Sequence, residues 1–304
     1  MSAMTREQWH GVFPAITTPL TDRDTVDHDF LAQHAGRLVA AGARAIVPLG
    51  SLGEGATLGF EEKVAVLRTV VRAVGDQAPV VAGIAALSTR EAATLACAAA
   101  DVGCGGLMVL PPYVYQGSWA EMRAHVDAVL EATPLGCMLY NNPIAYGTDF
   151  VPEQVRDFAG RHANLHAVKD SSGDVRRITA MRSLLGDRLA LFVGLDDAVV
   201  EGVAAGATGW VAGLVNALPE ESVVLFERAR AGDHAGARAL YDWFLPLLRL
   251  DTVATFVQLI KLVQQECGLG HERVRLPRLA LAGAEREGAL QLIRASLAAR
   301  PRLS

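Results

Sequence analysis

Two hydrophobic rhythms take turns along this chain. Short, nearly continuous apolar runs occur at 12–17, 45–49, 80–84, 106–110, 135–140, 165–169, 189–194 and 209–213. Runs of this length, bounded by Gly, Pro or Asn, read as buried strands. Between them lie stretches whose apolar residues recur three and four positions apart, at 30–41, 61–74, 89–101, 119–132, 152–159, 175–185, 198–205 and 220–231, and these read as helices. Gly42 and Gly75 stop two of them. Ser88-Thr89-Arg90-Glu91 and Ser118-Trp119-Ala120-Glu121 fit capping boxes that start two others.

Strict alternation of strand and helix implies a parallel sheet, because each strand must return to the same direction through a crossover. Eight such units predict an α/β fold closed as a (β/α)8 TIM barrel. The rival, an open doubly wound sheet, usually carries a Gly-rich phosphate turn after its first strand, and none follows residue 17. Beyond residue 233 the strand rhythm stops. Segments 234–250, 255–266 and 285–299 read as three helices, broken by Gly268-Leu269-Gly270 and Pro277. The expected organisation is a barrel over 1–231 and a C-terminal helical region over 232–304, packed on the barrel or on a neighbouring subunit.

Composition narrows the function classes. Hydrophobic residues make up 51% and charged residues 20%, which is globular rather than disordered. The net charge of -5 comes without a long run of one sign, which argues against nucleic acid or an anionic membrane as partner. No apolar run is long enough to cross a bilayer. Residues 1–10 lack the apolar core of a signal peptide. Cys97, Cys104, Cys137 and Cys267 are scattered, so reduced thiols and a cytoplasmic location are expected. Asp196-Asp197 could be a metal pair, but none of the eight histidines has HxH or HExxH spacing to complete a site, and no metal is expected.

In such barrels chemistry sits where strands end and loops begin. Three of those positions carry reactive or anion-binding groups. The second strand runs into Gly50-Ser51-Leu52-Gly53-Glu54, a turn whose backbone N–H groups can form an anion nest, with the Ser51 hydroxyl beside it. The fifth ends in Tyr140-Asn141-Asn142-Pro143, and a phenol there can move protons. The sixth, Leu165-His166-Ala167-Val168-Lys169, ends in a lysine that must be paired or neutral if it is buried. A neutral amine is a nucleophile toward carbonyl carbon.

These motifs, with Val168-Lys169-Asp170, Gly194-Leu195-Asp196-Asp197 and Gly206-Ala207-Thr208-Gly209, resemble the family of dihydrodipicolinate synthase and N-acetylneuraminate lyase over essentially the whole chain. The resemblance implies a Schiff base between Lys169 and the keto carbon of a 2-oxo acid, with no cofactor beyond that covalent bond. It implies Tyr140 as proton shuttle, Gly50, Ser51, Leu52 and Gly53 as the carboxylate-binding turn, and Val211 near the lysine through its backbone; Ser51 is expected to orient Tyr140 or the substrate. It also implies a homo-oligomer, dimer or tetramer.

The chain departs from that pattern in places. Ser51-Leu52 replaces the synthase's paired threonines, and Ile144-Ala145-Tyr146-Gly147 lacks the arginine that grips a second carboxylate there. The family's inter-subunit tyrosine pair falls at Tyr113-Val114, with Tyr115 next in line. A narrower resemblance, in 140–147, 209–216 and 277–287, is to the 1-pyrroline-4-hydroxy-2-carboxylate deaminases. It implies conversion of that cyclic imine to 2-oxoglutarate semialdehyde and ammonia. The alternatives are 4-hydroxy-tetrahydrodipicolinate synthesis, a 2-oxo-acid aldolase or sugar-acid dehydratase, and a non-catalytic barrel that binds a small carboxylate.

Overall fold

The protein is described by a computed structural model covering residues 3–303. Seven parallel strands form one curled sheet: β1 Gly11–Pro14, β2 Val81–Ile84, β3 Gly106–Val109, β4 Gly136–Asn141, β5 Leu165–Asp170, β6 Ala190–Val193 and β7 Gly209–Ala212, in the order β1-β7-β6-β5-β4-β3-β2. The stave expected at 45–49 is in place but is not a regular strand. It joins its neighbours through single bridges, Ala15 to Val47 on one side and Ile46 to Val80 on the other. Val47 N–H donates to Pro14 O at 2.8 Å and Val81 N–H to Ile46 O at 2.8 Å, so this segment closes the gap between β1 and β2. Its ladder is cut short by its own residues. Pro48 has no N–H to give, and Leu49 turns out of the extended region at φ 66. The barrel therefore has eight staves, seven of them regular.

The helices α1 His28–Ala40, α2 Phe60–Val74, α3 Thr89–Val102, α4 Trp119–Glu131, α5 Pro143–Tyr146, α6 Pro152–Arg161, α7 Arg176–Leu185, α8 Val199–Ala204 and α9 Pro219–Ala231 follow the staves, one after each except that both α5 and α6 lie between β4 and β5. Both expected capping serines do their work: Ser88 and Ser118 accept from the N–H of Glu91 and Glu121. Nearly every strand position is buried, as in a parallel sheet covered on both faces.

Past the barrel come α10 His234–Leu248, α11 Phe256–Glu266 and α12 Gly283–Ala298. Leu240, Phe244 and Leu247 of α10 and Ile260 and Val263 of α11 are buried in one hydrophobic cluster with the barrel's own side chains. The turn between α10 and α11, a 3₁₀ turn at Arg249–Thr252, lies against the 3₁₀ turn Asp196–Ala198 that follows β6. That contact brings the C-terminal region to the end of the barrel where the strands finish.

Candidate active site

β4 and β5 are paired so that Tyr140 and Lys169 are register partners and project to the same face. Lys169 is only 6% exposed, and its Nζ stands 4.0 Å from the centre of the Tyr140 ring. The strand ends behind it are locked by side chains. Asn141 donates to Asp170 Oδ2 at 3.0 Å and to Asp149 Oδ1 at 3.1 Å, and accepts from Phe150 N–H at 2.8 Å. Arg177 clamps Asp149 with two guanidinium bonds. The next strand leaves room for the lysine: a Cβ on Gly194 would lie 2.7 Å from Lys169 Cε.

The phenol of Tyr140 accepts from Asn142 Nδ2 at 2.9 Å. Ser51 does not reach it. The Ser51 hydroxyl instead shares a short hydrogen bond with the hydroxyl of Tyr146. Tyr146 arrives on the single-turn helix α5, which Asn142 caps through Ala145 N–H at 3.0 Å and Pro143 opens. Its ring meets Tyr140 edge-on with centroids 5.9 Å apart, and Tyr113 edge-on at 5.5 Å. Burial first, then the neighbouring phenols of Tyr140 and Tyr113, holds the Tyr146 hydroxyl well above the ordinary phenol range. Ser51, Tyr146, Tyr113 and Tyr140 thus form one cluster on the β4 side of the lysine. Sequence reasoning noted 144–147 for its missing cation and as part of the deaminase resemblance, and assigned Tyr146 no role.

The turn after residue 49 folds on itself. Glu54 N–H donates to Ser51 O at 3.1 Å and Gly55 N–H to Gly50 O at 3.3 Å. Among the described residues, the N–H groups of Leu52 and Gly53 meet no protein acceptor, which leaves them available to an anion. Gly53 is required because a Cβ there would lie 2.9 Å from Ile16 O. Glu54 is not a ligand of that nest. Its carboxylate is buried against the Lys261 ammonium, both side chains 2% exposed, and it accepts from Arg275 N–H at 2.9 Å. Lys261 also donates to Thr18 O at 2.8 Å and Arg273 O at 2.7 Å.

On the far side of Lys169, Val211 is buried on β7, next to Trp210, which pairs with Val193 of β6. Asp196 is fully buried. It accepts from Trp210 Nε1 at 2.9 Å, from Gly213 N–H at 3.0 Å and from Leu214 N–H at 2.6 Å. Burial nonetheless raises its carboxyl to about 6, against the pull of those donors and of the Lys169 charge. Asp196 is therefore engaged by protein donors and holds β6 to the loop after β7. Among the described residues no three His, Cys, Asp or Glu side chains gather as a metal site. Asp251 of the C-terminal region also faces this corner. Its burial, and next to that the negative Asp196, pushes its carboxyl well above the ordinary range.

A parallel (β/α)8 barrel with a buried lysine at the rim, a phenol beside it and an open N–H turn opposite has the architecture of a lysine-dependent lyase. The comparison with known sequences agrees: the chain belongs to the dihydrodipicolinate synthetase family, whose sequence model matches residues 8–296. Members of this family are lysine Schiff-base lyases that use no external cofactor. The chain is 37% identical over 238 residues to the 4-hydroxy-tetrahydrodipicolinate synthase of Natronomonas pharaonis, covering 78% of this chain and 80% of that one. Among solved structures it is similar to dihydrodipicolinate synthase DapA-2 from Bacillus anthracis, with a TM-score of 0.90 at 29% identity over 97% of this chain and 99% of that one. It is also similar to YagE from E. coli, a member of the dihydrodipicolinic acid synthase family in complex with pyruvate, with a TM-score of 0.89 at 27% identity, covering 95% and 99% of the two chains.

Proposed function

We propose that this chain is a Schiff-base deaminase acting on 1-pyrroline-4-hydroxy-2-carboxylate, with Lys169 as nucleophile and Tyr140 as proton shuttle. The observation that carries the reading is the charge around the lysine. The turn after Tyr140 supplies Tyr146 in place of a cation. A substrate with a second carboxylate would meet no cation on that turn, whereas one with a single carboxylate and a hydroxyl needs none there. Its carboxylate would lie in the turn of Gly50, Ser51, Leu52 and Gly53, with the backbone of Val211 closing the far side.

The chemistry closes without a cofactor. The Lys169 amine adds to C2 of the cyclic imine, and collapse of the tetrahedral adduct expels the ring nitrogen as a primary amine. The resulting iminium is an electron sink that acidifies C3. A base centred on Tyr140 removes the C3 proton, the 4-hydroxyl leaves as water, and a C3–C4 double bond forms. A proton shift from C5 to C3 gives a C4–C5 enamine, and transfer of a proton from the amine nitrogen to C4 turns it into a C5 imine. One water hydrolyses the C5 imine to an aldehyde and releases ammonia, and a second water frees Lys169. One water is lost and two are gained, which balances conversion to 2-oxoglutarate semialdehyde and ammonia.

The names of the relatives favour a second reading, 4-hydroxy-tetrahydrodipicolinate synthesis from pyruvate and aspartate semialdehyde. A charge-assisted contact to a carboxylate contributes roughly 1.5–3 kcal/mol, so an enzyme without that cation should lose about one to two decades in the synthase reaction. The test is a side-by-side assay. The imine, generated from 4-hydroxyproline with an amino-acid oxidase, should release ammonia and a semialdehyde measurable with a coupled dehydrogenase. A higher kcat/KM with pyruvate plus aspartate semialdehyde would replace the deaminase reading with the synthase one.

The working unit in this reading is a homo-oligomer in the cytoplasm. Leu87, Val114 and Tyr115 are 69%, 91% and 53% exposed near Tyr113, and Val114 holds φ 70. A β-branched side chain displayed in the left-handed region suits a contact with a second copy. The Tyr115 hydroxyl is occupied on its own chain, donating to Glu121 Oε1 at 2.7 Å. All four cysteines are free thiols, and no helix among the described residues is long and apolar enough to cross a membrane.

A further inference from the structure

The two ends of the Asn142 side chain serve two different tyrosines. The backbone is still extended just past β4, with Asn142 at φ -146, so Asn142 follows Tyr140 by two positions on the same face. Its Oδ1 accepts from Ala145 N–H at 3.0 Å and so caps α5, the turn that carries Tyr146. That bond fixes the orientation of the amide, because a backbone N–H can only donate. The other end, Nδ2, therefore faces the Tyr140 oxygen, 2.9 Å away.

An amide nitrogen has no lone pair to offer, so in this contact Asn142 donates and the phenol oxygen accepts. A phenol that accepts keeps its own proton for another partner. Among the described residues no protein group takes that proton. The Ser51 hydroxyl, the nearest candidate from sequence, is bonded to Tyr146 instead. Lys169 Nζ lies over the face of the ring, 4.0 Å from its centre. The buried Tyr140 thus has one fixed donor, and its proton is left unclaimed by the protein, beside the lysine.

We propose that Asn142 is the positioning residue of the proton shuttle: it holds the Tyr140 oxygen as an acceptor, which directs the phenol proton to the substrate, and it stabilises the phenolate once that proton has gone. The inference rests on Tyr140 as shuttle, whichever substrate Lys169 takes. The steps balance with pyruvate as the simplest 2-oxo acid. Lys169 adds to C2 and gives a neutral carbinolamine. The Tyr140 O–H passes its proton to the C2 hydroxyl, the C2–O bond breaks toward oxygen, and water leaves behind an iminium. The phenolate now carries the negative charge, and its bond from Asn142 becomes charge-assisted. The phenolate then takes a proton from C3. The C3–H electron pair becomes the C2–C3 double bond, the C=N electrons return to nitrogen, and Tyr140 is a neutral phenol again.

The experiment follows exchange of the pyruvate methyl protons in deuterium oxide by NMR, which reads the C3 step and needs no deaminase turnover. The proteins are wild type, Asn142→Asp, Asn142→Ala and Tyr140→Phe. Asn142→Asp keeps an acceptor for Ala145 N–H, and aspartate caps a helix as well as asparagine does. It turns the donor facing the phenol into an acceptor. The kcat of exchange should fall by about 10²–10³ in Asn142→Asp, the loss expected when an oxyanion forfeits one donor. KM for pyruvate should stay within about threefold. The thermal midpoint and the final extent of borohydride labelling on Lys169 should match wild type. Asn142→Ala removes donor and cap together and should lose at least about tenfold. A capping role alone predicts the opposite order, with Asn142→Ala impaired and Asn142→Asp close to wild type. Either variant exchanging within about threefold of wild type would overturn the assignment. A Tyr140→Phe enzyme that exchanges at the wild-type rate, or a wild type that is neither trapped on Lys169 nor active in exchange, would remove the shuttle and this inference with it. A wild type that exchanges pyruvate protons but leaves the hydroxy-imine untouched would remove the deaminase reading alone.

Discussion

At the scale of single residues, the proposed function separates a nucleophile from the groups that would move its protons. Tyr140 lies against Lys169, whereas Ser51 is bonded to Tyr146. The two phenols should therefore differ in what their loss does. Tyr140→Phe removes the proposed shuttle, and kcat should fall by about 10²–10⁴. Tyr146→Phe leaves Ser51 with its hydroxyl but without a partner, and the effect should be smaller, about tenfold, and shared between kcat and KM. Steady-state kinetics on the imine decide this. A Tyr146→Phe loss as large as that of Tyr140→Phe would place Tyr146 in the proton path itself. The sequence made Lys169 and Tyr140 conspicuous because both stand at the ends of apolar runs. It hid Tyr146, since a four-residue helix is too short to show a period, and only Asn142-Pro143 hints at a capped start.

At the scale of elements, the turn after residue 49 depends on a side chain contributed from the far end of the chain. Glu54 and Lys261 are separated by 207 positions, and both are buried. No local pattern could pair them. Lys261 sits in an amphipathic run and reads as one more polar position of α11, while Glu54 reads as the last residue of a Gly-rich turn. Burial lowers the Lys261 pKa, against the opposing pull of Glu54, so the pair is held together by mutual need. Lys261→Met leaves the Glu54 carboxylate without its cation and should cost about 3–5 kcal/mol of stability. Adding Glu54→Gln should restore part of that loss, because the unpaired charge goes with it. Denaturant midpoints of the single and double variants test this, and a Lys261→Met loss below about 1 kcal/mol would mean that water or Arg278, whose guanidinium stands 3.9 Å from Glu54 Oε2, already neutralises Glu54. The strand and helix elements themselves were legible, since their boundaries follow apolar runs, Gly stops and Ser caps. The segment at 45–49 was read as a full strand because periodicity does not register what Pro48 and the φ of Leu49 do to a ladder.

At the scale of the whole molecule, barrel and C-terminal helices share buried polar links as well as an apolar core. His34 of α1 is 1% exposed, sits 3.1 Å from Asn216 Oδ1 and lies 3.3 Å from Gln264 Nε2 of α11. Burial lowers its pKa from 6.5 to about 4, against the Asn216 bond. In that window the unfolded chain binds a proton that the folded one refuses. The His34 contribution is therefore complete above pH 6.5 and is lost as pH falls toward 4, on the order of 3 kcal/mol in all. Urea unfolding between pH 7 and 4 should show a shallower decline in His34→Leu than in wild type, even if the variant starts less stable. Parallel declines would mean that His34 is protonated in the native state. The sequence foresaw three helices after the barrel and left their placement open, because docking of one amphipathic helix on another is decided by contacts across hundreds of residues.

Lys169 is the covalent residue of the proposed function, and a trapping measurement addresses that role directly. The enzyme is incubated with 1-pyrroline-4-hydroxy-2-carboxylate, reduced with borohydride, digested and mapped by mass spectrometry, with Lys169→Ala in parallel. A ring-opened adduct is expected on the peptide carrying Lys169 and none in the variant. An adduct on Lys63 or Lys261, an adduct that persists in Lys169→Ala, or turnover without any adduct would contradict it.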